Sequence, residues 1–224
     1  MIAVIASLMF SAASVWAHQP IETEADLGTW AEAEGIEHPE VSQVLYREIN
    51  PEEPAVWLSF QALAGQEIYF SLGVPKIARL AGFRPSIAVV GSGFPETDLP
   101  VGLPPGAGAL VLEPSGMPKA FYEPFTGTDS LILVERTVRF DAAGTYRVVA
   151  YVPEPLTSGA KLWVAIGVKE QWGFGDLLRM PAIIDEVRAF HEVQPFPWWI
   201  PVSVGSAVVL FGGVVICLGI ASLL

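Results

Sequence analysis

The sequence predicts a mainly β protein: an antiparallel β-sandwich or jelly roll with one amphipathic helix and one C-terminal transmembrane helix. Three observations carry this expectation. Between residues 55 and 168, short runs rich in Val, Ile, Phe, Tyr and Trp alternate with clusters of Gly, Pro and Asp. Residues 176–193 change to an apolar spacing of three and four. Residues 200–224 carry no charge at all.

The chain has 224 residues, a net charge of −12 and a mean hydropathy of +0.47. Residues 1–17, MIAVIASLMFSAASVWA, form an apolar stretch too short to span a bilayer, closed by small residues. Val15-Trp16-Ala17 fits a cleavage site of the A-x-A kind, so 1–17 reads as a signal peptide, although no Lys or Arg precedes its apolar part. Cleavage after Ala17 would make His18 the new N-terminus.

Residues 18–54 form an acidic N-terminal segment. Residues 18–60 hold ten acids and a single base, Arg47. Such a block reads as a solvated, partly irregular stretch, or as a docking surface for a basic partner or cations. The acidic balance speaks against nucleic acid, whose affinity comes mainly from Lys and Arg neutralising phosphates.

The sandwich is expected over residues 55–170. Candidate strands are Ala55–Phe60, Glu67–Val74, Pro85–Gly91, Gly108–Glu113, Lys119–Glu123, Leu131–Glu135, Thr137–Phe140, Thr145–Val152 and Ala160–Val168. Regular short strands between turn signals suit an antiparallel sandwich. The one cysteine, Cys217, lies in the C-terminal apolar run, so no disulfide can staple the sandwich.

In 176–193, Leu177, Met180, Ile183, Ile184, Val187 and Phe190 make one stripe, with Arg179, Asp185, Glu186, Arg188 and Glu192 elsewhere. Pro181 suits a first helical turn, with the preceding residues as a separate turn, and Pro195 and Pro197 end the helix. Its place before the apolar run suggests a juxtamembrane, interfacial helix; the plainer alternative is packing on the sandwich. Residues 198–224 read as the transmembrane helix, with Trp198 and Trp199 at the membrane interface. As a helix, 200–224 would be ~37 Å long against a hydrocarbon core of ~30 Å. Gly205, Gly212 and Gly219 recur every seven residues, on one face, where small residues permit close packing against a second copy or a membrane-protein partner.

Catalytic chemistry is sparse. The three histidines are His18, His38 and His191, none inside 39–190, so a Ser–His mechanism would need a base from outside the sandwich. No HExxH, CxxC or P-loop occurs. Glu123 and Glu135 could act as an acid–base pair on a glycan, but exposed carboxylates are common. A free amine and imidazole at His18 could chelate copper, with His38 as a further donor; an unremarkable residue left by cleavage is the plainer reading. Among the aromatics, Trp57, Tyr69, Phe70, Phe140 and Trp163 fall on strands as core candidates. Phe121, Tyr122, Phe125 and the Pro-rich loop 100–106 could form an exposed rim for a partner or a glycan.

Asp141-Ala142-Ala143-Gly144-Thr145-Tyr146 resembles the corner turn of immunoglobulin-like sandwiches, where a Tyr hydroxyl bonds back to the chain. The longer pattern FDAAGTYRVVAYV…GAKLWVAIGV resembles the closing strands of pre-peptidase C-terminal-type accessory domains. His18-Gln19-Pro20, the segment Pro39 to Tyr46 and LWVAIGVKEQWGFGDLL resemble exported bacterial proteins of unassigned activity that begin with His-Gln-Pro once cleaved. That resemblance covers about residues 18–190. It implies a secreted sandwich and supplies no activity. The sequence thus points to a membrane-anchored, extracytoplasmic, non-catalytic sandwich: a binding module or accessory subunit. A copper protein using His18 and a glycan-binding module are the alternatives.

Overall fold

The computed structural model describes residues 18–23, 25–114, 116–171 and 174–195, with the backbone alone for 174–177. The expected signal peptide, the tryptophans at 198 and 199 and the glycine-striped segment 198–224 lie outside the described residues. Among the described residues no helix is long and apolar enough to cross a membrane.

The strands are β1 (Gln19–Pro20), β2 (Glu34–Ile36), β3 (Gln43–Ile49), β4 (Ala55–Ala62), β5 (Glu67–Pro75), β6 (Ser86–Gly91), β7 (Gly108–Val111), β8 (Lys119–Glu123), β9 (Thr128–Arg139), β10 (Gly144–Tyr151) and β11 (Ala160–Ile166). They form a six-stranded sheet, β1-β3-β11-β5-β9-β8, and a five-stranded sheet, β2-β4-β10-β6-β7. The long pairings are antiparallel; only the short β1 and β2 add in parallel, on β3 and β4. One helix, α1 (Phe174–Phe190), follows.

The inner faces of the two sheets form the main core. Leu45, Ile49, Phe70, Leu72 and Leu162 meet Val56, Leu58, Phe60, Ile87, Val89 and Val148 there. Each such side chain contributes about 1.5–3 kcal/mol by leaving water. The expected corner is present: the Tyr146 hydroxyl donates to the Ala142 carbonyl at 2.9 Å. Its ring lies on Gly91, where an added Cβ would come within 2.3 Å of it. Tyr146 also packs against Phe140, with centroids 4.5 Å apart.

Three sequence expectations need correction. The acidic segment is not irregular: it supplies β1, β2 and β3, so the sandwich begins at Gln19 rather than residue 55. β3 pairs with β11 along its whole length, and Val44, Leu45 and Ile49 are buried. Its acids stand on loops and exposed positions, so charge count concealed the pattern. The two runs 131–135 and 137–140 are one strand, β9, bulged where it passes Leu72 and Gly73 of β5. The helix starts at Phe174, so Pro181 stands inside it rather than in its first turn. A proline there lacks the N–H for one helical bond. Packing compensates, since Ile183, Ile184 and Val187 are buried while Pro181 is exposed.

The helix lies on the outer face of the six-stranded sheet, with Ile183, Ile184 and Val187 of its stripe covered by protein. Phe190 packs on Tyr46 at a centroid distance of 5.0 Å. The helix ends with Glu192 in the left-handed region (φ 59°) and a bond from the Val193 N–H to the Arg188 carbonyl. That strained Glu192 is held by Arg79 and by Lys161, 3.1 Å away. The two bases keep its carboxyl below the usual range, Arg79 foremost.

Candidate functional site

A cavity of about 300 Å³ lies between α1 and the outer face of the six-stranded sheet. Strand alternation decides which side chains reach it. β3 contributes Val44 and Tyr46, β11 Trp163, and β5 Tyr69 and Ser71. β9 contributes Thr128, Ser130, Ile132 and Glu135, and β8 contributes Lys119, Phe121 and Glu123. The turn between them adds Phe125 and Thr126, the helix adds Ile183 and His191, and the N-terminal end adds His18.

The β9 bulge determines one of these placements. Ile132 pairs with Gly73 and Val134 with Leu72, leaving Leu133 extra. Without that residue, the period of two would turn Glu135 into the core. With it, Glu135 faces the cavity, where it accepts a hydrogen bond from the Tyr69 hydroxyl at 3.1 Å and pairs with Lys119 at 3.4 Å. Gly73 has its own reason: the Trp163 ring lies on it, and an added Cβ would sit 2.1 Å from that ring.

Burial first, then Glu123, pushes the Tyr46 hydroxyl well above the usual phenol range. Burial likewise pushes Tyr69 up to about 12.

A buried polar chain closes the helix side. The Nδ1–H of His191 donates to the Val187 carbonyl at 2.8 Å, which fixes the tautomer. Nε2 then accepts from the Ser130 hydroxyl at 3.0 Å, and Ser130 accepts from the Trp163 indole N–H at 3.2 Å. Burial lowers the His191 pKa, so the ring is neutral near pH 7. The Ser130–His191 distance suits a nucleophile and its base, but no carboxylate orients the imidazole and the indole occupies the hydroxyl oxygen. The arrangement reads as a satisfied network that fastens α1 to β9 and β11.

His18 is positioned by β1, through bonds from the Gln19 N–H to Ser42 and from the Ile21 N–H to Val44. Its Nδ1 lies 2.6 Å from the Ser42 hydroxyl, and burial lowers its pKa to about 4. Nδ1 is also the nitrogen that would close a chelate ring with the α-amine, so a copper chelate would have to break the Ser42 bond. His38 is exposed beside Glu40, at 3.7 Å, and does not line the cavity. Among the described residues no group of three or more His, Cys, Asp or Glu could hold a metal ion.

Glu123 and Glu135 both line the cavity, but not as a catalytic pair. Glu123 pairs with Thr128, and Glu135 stands seven residues farther along β9, an offset of roughly 20 Å at ~3.3 Å per residue. Glycosidase carboxylates stand about 5–9.5 Å apart. The Glu123 carboxylate accepts the Phe125 backbone N–H at 3.0 Å, and burial raises its pKa.

The expected aromatic rim divides. Phe121 and Phe125 line the cavity and Tyr122 is exposed, whereas the 100–106 loop packs on the other sheet. The sequence reading missed His191, Ser130, Ser71 and Tyr46. His191 was within reach, because it continues the 183, 187, 191 spacing of the helix stripe. Ser71 could not be foreseen. It is 3% exposed, and its hydroxyl, with Tyr69 as a polar neighbour, makes no hydrogen bond of full geometry among the described residues.

No protein-family model matches the chain, and no curated protein does. Among solved structures, it is similar to the pre-peptidase C-terminal domain of collagenase from Bacillus anthracis: 10% identity over 60% of this chain and 94% of that one, TM-score 0.33. It is similar to PliG of Aeromonas hydrophila, a periplasmic inhibitor of g-type lysozyme: 11% identity over 68% and 96%, TM-score 0.32. A third is the copper-binding secreted protein MopE of Methylococcus capsulatus: 13% identity over 51% and 70%, TM-score 0.25. At these scores none of the three carries weight on function, and no residue role is transferred from them.

Proposed function

We propose that this chain is a non-catalytic binding module, held outside the cytoplasm, whose small ligand occupies the cavity beneath α1. The observation that carries this reading is the convergence of polar side chains from four strands and the helix on a cavity that includes the orphaned Ser71 hydroxyl. Buried polar groups are normally paired, so an unpaired one facing a cavity marks a place for a ligand or water. A volume of about 300 Å³ with aromatic walls and a few placed polar groups suits a small molecule. On this reading, residues 1–17 export the chain and 198–224 anchor it. The Gly205, Gly212 and Gly219 stripe then serves a membrane partner or self-association, with the module as an accessory subunit.

Ligand occupancy is tested on the full chain in mild detergent, by thermal shift against a library of small polar and aromatic compounds. Binders should raise Tm, and Ser71→Phe, which fills the cavity, should remove the response. A library without a binder would refute the reading. Co-purification from the native membrane tests the accessory role: loss of a stoichiometric partner on changing the three glycines to Leu supports it, and a lone monomer refutes it.

A further inference from the structure

Taking the cavity to be a ligand site, we propose that it is built for a small organic cation, an ammonium group carried on an apolar or aromatic body.

The first ground is the charge inventory. Three formally charged side chains line the cavity: Lys119, Glu123 and Glu135. Lys119 and Glu135 answer each other at 3.4 Å, and Tyr69 adds a hydrogen bond to Glu135. Glu123 has the Phe125 backbone N–H and no cationic partner among the described residues. Arg188, on the covering helix, donates instead to the carbonyls of Thr126 and Gln194. Taking a carboxylate's charge out of water is costly, and a cation placed beside it offsets that cost. Among the charged side chains that line the cavity, Glu123 is therefore the one without an oppositely charged side chain beside it.

The second ground is the walls. Tyr46, Tyr69, Phe121, Phe125 and Trp163 place π-systems around the same space. Ring faces attract ammonium groups, and the attraction grows when the site is desolvated.

The alternatives fare worse on the same inventory. An anion would set a second negative charge near Glu123 with Lys119 already engaged. A neutral sugar would satisfy hydroxyls but leave Glu123 without a countercharge. Size is a further limit: at ~30 Å³ per water, the cavity holds about ten waters, so a ligand of similar heavy-atom count fits.

A matched series tests this on the full-length chain in detergent, by calorimetric titration with benzylammonium, benzyl alcohol and benzoate, plus glucose. These three aromatics differ mainly in charge. Benzylammonium should bind at least tenfold more tightly than benzyl alcohol, and benzoate should not bind. In Glu123→Gln, benzylammonium should fall to the level of benzyl alcohol, with circular dichroism unchanged. Equal or tighter binding of benzyl alcohol, benzoate or glucose would overturn the cation assignment while leaving a binding module. Silence from every probe would overturn both. The wild-type series decides the matter even if the variant does not fold.

Discussion

The sandwich has two outer faces, and they are finished differently. On the five-stranded sheet, Ala55, Trp57, Ala88, Val90, Val149 and Tyr151 are covered by Trp30 and by Leu99, Val101 and Leu103 of the long loop. That face is apolar, and the loop is pinned by the Thr97 hydroxyl on the Ala109 carbonyl at 2.8 Å. On the six-stranded sheet, the corresponding layer is α1, and beneath it lie histidine, serine and carboxylate groups around a cavity. Both covers exclude water. The second cover encloses the cavity, and among the described residues Ser71, Thr126, Thr128, Ser130 and His191 are buried on its side. Thr126, Thr128, Ser130 and His191 are paired there, and Ser71 alone of the buried side chains is left without a bond among the described residues.

Truncating an aromatic on each face gives the largest contrast. Trp57→Ala should cost about 3–5 kcal/mol, since it opens a void in a packed layer. Phe121→Ala, which only enlarges an existing cavity at a part-exposed wall, should cost under about 1.5 kcal/mol. Chemical denaturation of the two variants measures both; equal losses would erase the distinction between the faces.

Next in size is Ser130→Ala. It leaves the Trp163 N–H and the His191 Nε2 without their partner, so a loss of about 1–3 kcal/mol is expected. A neutral result would mean that water or a rearranged rotamer replaces the hydroxyl, and the chain would not fasten the helix.

The smallest effect at neutral pH becomes visible on acidification. Burial lowers His18 from 6.5 to about 4 and also lowers His191. The unfolded chain therefore takes up protons near pH 6.5 that the folded chain refuses. Stability is full above 6.5 and is lost as pH falls toward 4, by up to about 3 kcal/mol for His18. Glu123 works in the opposite sense: its raised pKa adds stability at low pH that is lost as pH rises through it. His18→Gln should match wild type at pH 7.5 in thermal unfolding and exceed it at pH 4.5. A pH-independent difference would place His18 in water rather than in the cavity wall.

Legibility varied with how local the signal was. β10 and β11 were readable because their alternation, and the turn from Asp141 to Gly144 that leads into β10, lie in consecutive residues. The Tyr146 corner was readable for the same reason, as its hydroxyl bonds a carbonyl four residues back. β3 was missed because the acids flanking it dominate the composition of its segment. The unbroken course of α1 through Pro181 was missed because local preference forbids it and only packing on the sheet permits it. At the site, Glu123, Glu135, Phe121 and His18 were nameable as candidates, but nothing in the sequence placed all four at one cavity.

The sequence by itself determined the β class, the closing strands and their corner, the apolar stripe of the helix and the poverty of catalytic groups. All of these follow from periodicity and residue type within a few positions along the chain. Tertiary structure alone decided that His18, Ser71, Glu123 and His191 share one cavity. They come from four separate stretches of the chain, brought together by the order of the strands and by the seat of the helix. Glu135 joins them through a single extra residue in β9, which changes which face the strand presents. Contacts at such separations depend on register and layer packing, which no local pattern records.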